Sequence, residues 1–144
     1  MTSDIQTTHE VPSVEEYLRL RQQGGLSAFS PPAARIGLQG TLHAVTLRHD
    51  GKAIGMGRLI GDGGCFFQIV DIAVEPRYRG QGLGKRIMAA LMDYIDKNLP
   101  TTAFVSLLAD VPADRLYAQS GFTPTAPESL GMSYRVKRDA TEGP

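Results

Sequence analysis

Three glycines, Gly80, Gly82 and Gly84, separate an apolar run from a helix-like run in DIAVEPRYRGQGLGKRIMAALMDYI, residues 71–95. Glycine there lets consecutive backbone N–H groups, from Gln81 to Lys85, gather around an anion at the positive end of a helix dipole. Arg79 or Lys85 can add charge-assisted bonds, so the chemistry suggested is phosphate binding. A nucleoside-triphosphate loop needs Lys followed by Ser or Thr to hold magnesium, but Lys85 is followed by Arg86. A dinucleotide loop counted from Gly80 needs its third glycine where Lys85 stands, and a βαβ unit where hairpins are expected. Coenzyme A, whose pyrophosphate diester needs no metal, is the third candidate. The plain alternative is that the glycines only make a tight strand-to-helix turn.

Other reactive side chains are sparse. Asp71 is the one ionisable group inside the strand before the loop, and by alternation it lies on the opposite face from Gln68 unless a bulge intervenes. His9, His43 and His49 have no ligand spacing, so no metal is expected. The single cysteine, Cys65, excludes an internal disulfide, and its setting in GGCFFQIV predicts a buried strand residue. Fifteen basic and fifteen acidic residues cancel, which gives no reason to expect a nucleic acid or a membrane surface as partner. No apolar run approaches the ~20 residues of a membrane span. The opening MTSDIQTTHEVPS has no signal-peptide pattern, so a cytoplasmic protein is expected.

The elements that must hold these residues follow from pattern. Ser13 caps a helix with Glu16 as its capping-box partner and Gly24 as its stop; a second short helix follows Ser30. TLHAVTLRHDGKAIGMGRLI predicts two strands joined at Asp50-Gly51. CFFQIVDIAV is apolar on both faces and predicts an interior strand. A helix from about Gly82 to Asn98 carries the stripe Leu83, Ile87, Ala90, Leu91, Tyr94 and Ile95. TAFVSLLA predicts another strand, PADRLYAQSGF a short helix, GMSYRVK a last strand and RDATEGP a frayed tail. Residues 1–144 form one mixed α/β domain with its core at about 5–137.

Arg79-x-x-Gly82-x-Gly84 directly after IVDIAVEP, followed some 33 residues later by LYAQSGF, resembles the GNAT superfamily of acyl-CoA-dependent N-acetyltransferases. The resemblance spans roughly residues 14–137 and is sharpest at 69–88 and 115–122. It implies an α/β (α+β) fold with a mixed, mostly antiparallel sheet of about six to seven strands and about four helices. It implies acetyl-CoA or coenzyme A as co-substrate, without a metal, held by Ile72, Ala73 and Val74 through main chain. Arg79, Gly80, Gln81, Gly82, Leu83, Gly84 and Lys85 would bind the pyrophosphate, with Asp110 and Tyr117 beyond them.

The same resemblance casts Tyr117 as the acid that protonates the leaving thiolate, and the Val74 N–H as oxyanion donor. Packing alone is the other role open to Tyr117. Some members carry a glutamate where this chain has Gln68, which cannot take a proton. Asp71, Asp110 and a water chain are then the alternatives for a base, and Asp71 could equally pair with the turn or Lys52. Phe29, Arg21 and Tyr134, with Arg19 and Met132, would line the acceptor mouth, where arginines favour a carboxylate; Arg19 and Arg21 as solvated helix residues is the blander expectation. The expected acceptor is a small primary amine or amino acid. A protein amine, or a catalytically weak acyl-CoA-binding regulatory domain, stands as the alternative, and a homodimer is left open.

Overall fold

A computed structural model describes residues 4–110 and 112–138. Five strands form one sheet in the order β1 (Ile5–Thr8), β2 (His43–His49), β3 (Lys52–Gly61), β4 (Phe66–Val74) and β5 (Phe104–Ser106). The first four are antiparallel neighbours, and β5 runs parallel to β4. β2 turns into β3 through Asp50 and Gly51, both at positive φ (51° and 79°), the backbone twist a two-residue hairpin needs.

The helices are α1 (Val14–Gln23), α2 (Pro31–Gln39), α3 (Leu83–Asn98) and α4 (Asp114–Ala118). Ser13 accepts from the Glu16 N–H while Glu16 reaches back to the Ser13 N–H, closing a capping box on α1. Ser30 caps α2, with Pro31 and Pro32 in its first turn. One face of the sheet packs on α3 through Val45, Leu47, Leu59, Ile69, Ile87 and Leu91. The other packs on α1 and α2 through Tyr17, Leu20, Ala34, Met56 and Ala73.

Several expectations are corrected. The sheet has five strands, not six or seven, among the described residues. GMSYRVK forms no strand: its alternating Met132, Tyr134 and Val136, with Leu130 before them, are all at least 72% exposed. Alternation specifies a strand only when something buries one of its faces, and nothing among the described residues does so there. The TAFVSLLA strand shrinks to Phe104–Ser106. Cys65 is exposed in the turn before β4, where the Asp62 carboxylate collects the N–H groups of Gly64, Cys65 and Phe66, so its apolar neighbours do not enclose it. Most of the RDATEGP tail lies outside the described residues. Among them, no helix is long and apolar enough to cross a membrane.

Candidate active site

Two cavities adjoin the Ile69–Val74 stretch of β4. The first, of about 390 Å³, is lined by Ile72, Ala73 and Val74 of β4, by Arg79, Gly80, Gly82, Leu83, Gly84 and Lys85, and by Leu116 and Tyr117 of α4. Its far wall is the start of α3. That helix differs from α1 and α2 in having no side-chain cap, because its cap residue is Gly82, held at φ 75° and ψ 19°. The first helical bond runs from the Arg86 N–H to the Gly82 carbonyl, 3.0 Å. The N–H groups ahead of it have no intrahelical acceptor and point out of the helix end. Gly80 shares the left-handed conformation, φ 81°, so the loop needs glycine for its backbone shape. Gly84 has no such need: a Cβ there would meet the Leu116 side chain at 3.4 Å, an ordinary contact.

Beside this cavity the sheet opens. β5 pairs with β4 only over Phe66, Phe67 and Gln68, leaving Ile69 to Val74 without a strand on that side among the described residues. The Tyr117 ring packs against the α3-side core at the margin of the opening. Burial raises its phenol pKa above the usual 10, and the nearby Asp110 charge adds to this, so the hydroxyl keeps its proton at neutral pH. Among the described residues that hydroxyl has no hydrogen-bond partner. Gln81 and Asp110 are exposed and do not line the cavity.

The second cavity, of about 450 Å³, opens on the α1–α2 face. Its wall is set by a bulge in β4. Met56 pairs with Ala73 and Arg58 with Val70, so Gly57 faces both Asp71 and Ile72. Asp71 itself takes φ 63°. The bulge overturns the simple alternation: Gln68 and Asp71 line the same cavity instead of opposite faces.

Asp71 does not pair with Lys52, whose ammonium lies 3.3 Å from Glu75. Instead one Asp71 oxygen accepts from Arg21 Nη1, and the other from Arg58 Nε (2.9 Å) and Tyr17 Oη (2.8 Å). All three charged side chains are at least nine-tenths buried. Arg21 is therefore no solvated helix residue. Its Nε and Nη2 donate to the Ser27 carbonyl at 3.0 and 2.6 Å, and the Phe29 ring lies 4.3 Å under its guanidinium. Arg19 is partly exposed, donating to the Ala53 carbonyl and facing Glu75. Burial, then the Asp71 charge, raises the Tyr17 pKa.

Phe29, Arg21 and Gln68 thus share a cavity with Asp71, whereas Tyr134 and Met132 are exposed and line neither space. Tyr17, Arg58 and Arg135 belong to this cavity and were not expected there. A lone arginine in the otherwise apolar AIGMGRLIG was the available signal for Arg58. The histidines line neither cavity; His9 and His43 meet at 2.9 Å and His43 stacks on Tyr94.

Comparison with known proteins gives this geometry a context. A family model described as an acetyltransferase (GNAT) domain matches residues 23–132. No curated protein matches the chain. A crystal structure from meticillin-resistant Staphylococcus aureus, titled a protein of unknown function and probable acetyltransferase, is 46% identical with a TM-score of 0.87, covering 92% of this chain and 99% of that one. A GNAT-family acetyltransferase from Streptococcus pneumoniae superposes with a TM-score of 0.74 at 20% identity, over 94% of this chain and 99% of that one. Glucosamine-6-phosphate N-acetyltransferase from Arabidopsis thaliana gives 0.68 at 17% identity, covering 92% and 99%. The last two likenesses are of fold alone.

Proposed function

The chain belongs to the GNAT family of acetyltransferases, and from that premise we propose that it transfers the acetyl group of acetyl-CoA to a primary amine of a small molecule or amino acid. The observation that carries this reading is the unpaired edge of β4. From Ile69 to Val74 it runs from one cavity to the other and ends beside the uncapped start of α3. An extended pantetheine arm fits that edge as a surrogate strand, bonded by main chain. Its pyrophosphate then reaches the N–H groups of Leu83, Gly84 and Lys85, with Arg79 and Lys85 exposed beside them. The left-handed Gly80 and Gly82 keep side chains out of that cradle.

In this arrangement the amine enters from the α1–α2 side and attacks the thioester carbonyl. A carbon–nitrogen bond forms, the oxyanion is met by the Val74 N–H, and the carbon–sulfur bond breaks as the intermediate collapses. Tyr117, protonated at neutral pH, gives its proton to the departing thiolate. Asp71, gripped by two guanidiniums and a phenol, is a positioning residue in this reading and not the base. The ammonium proton leaves through water, which Gln68 can orient but not deprotonate.

Two measurements test the proposal. Calorimetry with EDTA present gives coenzyme A binding in the wild type and none in Gly82→Val, whose thermal melt stays cooperative at a midpoint lowered by the strained turn. Thiol release from acetyl-CoA across an amine panel, with mass spectrometry of the product, gives an N-acetylated amine. Equal binding by the valine variant overturns the cradle, and acetyl-CoA binding without any acetylated amine overturns the enzymatic reading.

A further inference from the structure

Charge is unevenly matched in the cavity of the α1–α2 face. Arg21, Arg58 and Arg135 line it together with a single carboxylate, Asp71. Glu75 offers no relief, being engaged with Arg19 and Lys52. Guanidiniums held out of water are stabilised by anions placed in their fork, and one carboxylate cannot neutralise two of them.

The donor inventory shows which guanidinium is left wanting. Arg21 spends Nε, Nη1 and Nη2 on Ser27 and Asp71. Arg58, 7% exposed as a residue, spends Nε on Asp71 at 2.9 Å and Nη1 on the Gly37 carbonyl and the Thr41 hydroxyl, 3.2 and 2.6 Å. Its Nη2 has no partner among the described residues, although the side chain lines the cavity. The Tyr17 ring flanks the Arg58 guanidinium, 5.3 Å from its centroid, so the group is fixed in plane as well as in position. At the mouth Arg135 donates to the Ser27 hydroxyl, 2.7 Å, its one side-chain hydrogen bond among the described residues. A fixed, half-used fork that opens on the cavity, with a second cation at the entrance, is an anion seat.

We infer that the acceptor amine carries an anionic group, a carboxylate or a phosphate, which seats between Arg58 Nη2 and Arg135 while the nitrogen lies toward Gln68 and the free edge of β4. The inference rests on the acetyl-transfer reading for the role of the nitrogen, but the anion seat is testable without turnover. The unevenness also serves the chemistry. Surplus positive charge disfavours an ammonium ion, so an amine anchored there sheds its proton to water more readily than in solution. A neutral-tailed amine gains no anchor and meets only that repulsion.

The test uses the whole protein saturated with coenzyme A, which occupies the α3 cradle. Inorganic phosphate and acetate are titrated at constant ionic strength, followed by calorimetry, into wild type, Arg58→Lys and Arg135→Ala. Arg58→Lys keeps a charge and loses the fork, and Arg135→Ala lies at the surface and tests the seat if the Arg58 variant does not fold. Binding is expected in the wild type and weaker by roughly tenfold or more in each folded variant. In turnover, β-alanine, O-phosphoethanolamine and ethanolamine share one aminoethyl arm; the two anionic amines should exceed ethanolamine by roughly tenfold or more in kcat/KM, chiefly through KM. Their ranking separates carboxylate from phosphate. Equal use of ethanolamine, or anion binding indifferent to both arginines, or no anion binding at all, overturns the inference and leaves acetyl transfer untouched. Arginine-dependent anion binding with no amine acetylated sustains the seat and overturns the acetyl-transfer reading instead.

Discussion

Tyr117 offers the sharpest single-atom experiment on this protein. Removing its hydroxyl as Tyr117→Phe keeps the ring against the α3-side core, so coenzyme A binding and the melt should hold. If the phenol protonates the leaving thiolate, kcat falls by about 10² or more. Steady-state kinetics beside calorimetry decides it, and an unchanged kcat returns the residue to packing. Asp71 calls for the opposite pattern. Asp71→Asn removes the charge facing two buried guanidiniums and should cost about 3–5 kcal/mol in denaturant unfolding. The pH–rate profile of any folded fraction should keep its shape, and loss of the acidic limb would make Asp71 the base after all. The glycine loop was legible in the sequence because its logic is local: a left-handed turn, a bare helix start, flanking cations. The Asp71 cluster was not, because Tyr17, Arg21 and Arg58 lie 54, 50 and 13 residues away in the chain. Nothing near DIAV announces them.

The helices and strands divide in a similar way. The capping box on α1 reads directly from Ser13 and Glu16, and it holds the helix that carries Tyr17 and Arg21 into the cavity of the α1–α2 face. Ser13→Ala should cost about 1 kcal/mol of stability, read as a shifted denaturation midpoint with an unchanged slope. The contact of β3 with α3 was invisible in the sequence. A Cβ on Gly57 would come within 2.6 Å of Ile72, 2.7 Å of Ile87 and 3.1 Å of Leu91. Ile87 and Leu91 are fully buried and have nowhere to retreat. Gly57→Ala should therefore destabilise by about 1–3 kcal/mol, measured by thermal unfolding, and a neutral result would mean that α3 can lift off the sheet. The C-terminal SLGMSYRVK misleads for the converse reason. Period-2 alternation describes which residues would share a face, but a face needs a partner, and Leu130 and Met132 remain in the open.

For the molecule as a whole, ionisation should set a window of stability open at neutral pH. The Arg48 hydrogen bond, helped by Ser13 and opposed by partial burial, lowers the Glu16 pKa from 4.5 to about 2. A depressed carboxyl contributes stability above its unfolded value and loses it as pH falls from 4.5 through about 2. Tyr17 and Tyr117 are shifted the other way, their phenols held neutral by burial and nearby carboxylates. Their contribution is complete below 10 and is lost as pH rises through their elevated folded values. Unfolding midpoints against pH should show shoulders at both ends. Glu16→Gln should flatten the acidic one, and a curve unchanged by that substitution would remove Glu16 from the account.

The bulge in β4 has one further consequence. Strike Asp71 from the chain on paper, and Val70, Ile72, Ala73 and Val74 fall on the faces they occupy now, opposite the same residues of β3. The strand would read as an unbroken ladder, and both hydrophobic layers would survive intact. Residue 71 is thus an insertion to which the fold's pattern is indifferent. This surplus position of β4 is where Tyr17, Arg21 and Arg58 converge, so a plain strand and a buried charged cluster differ here by a single added amino acid.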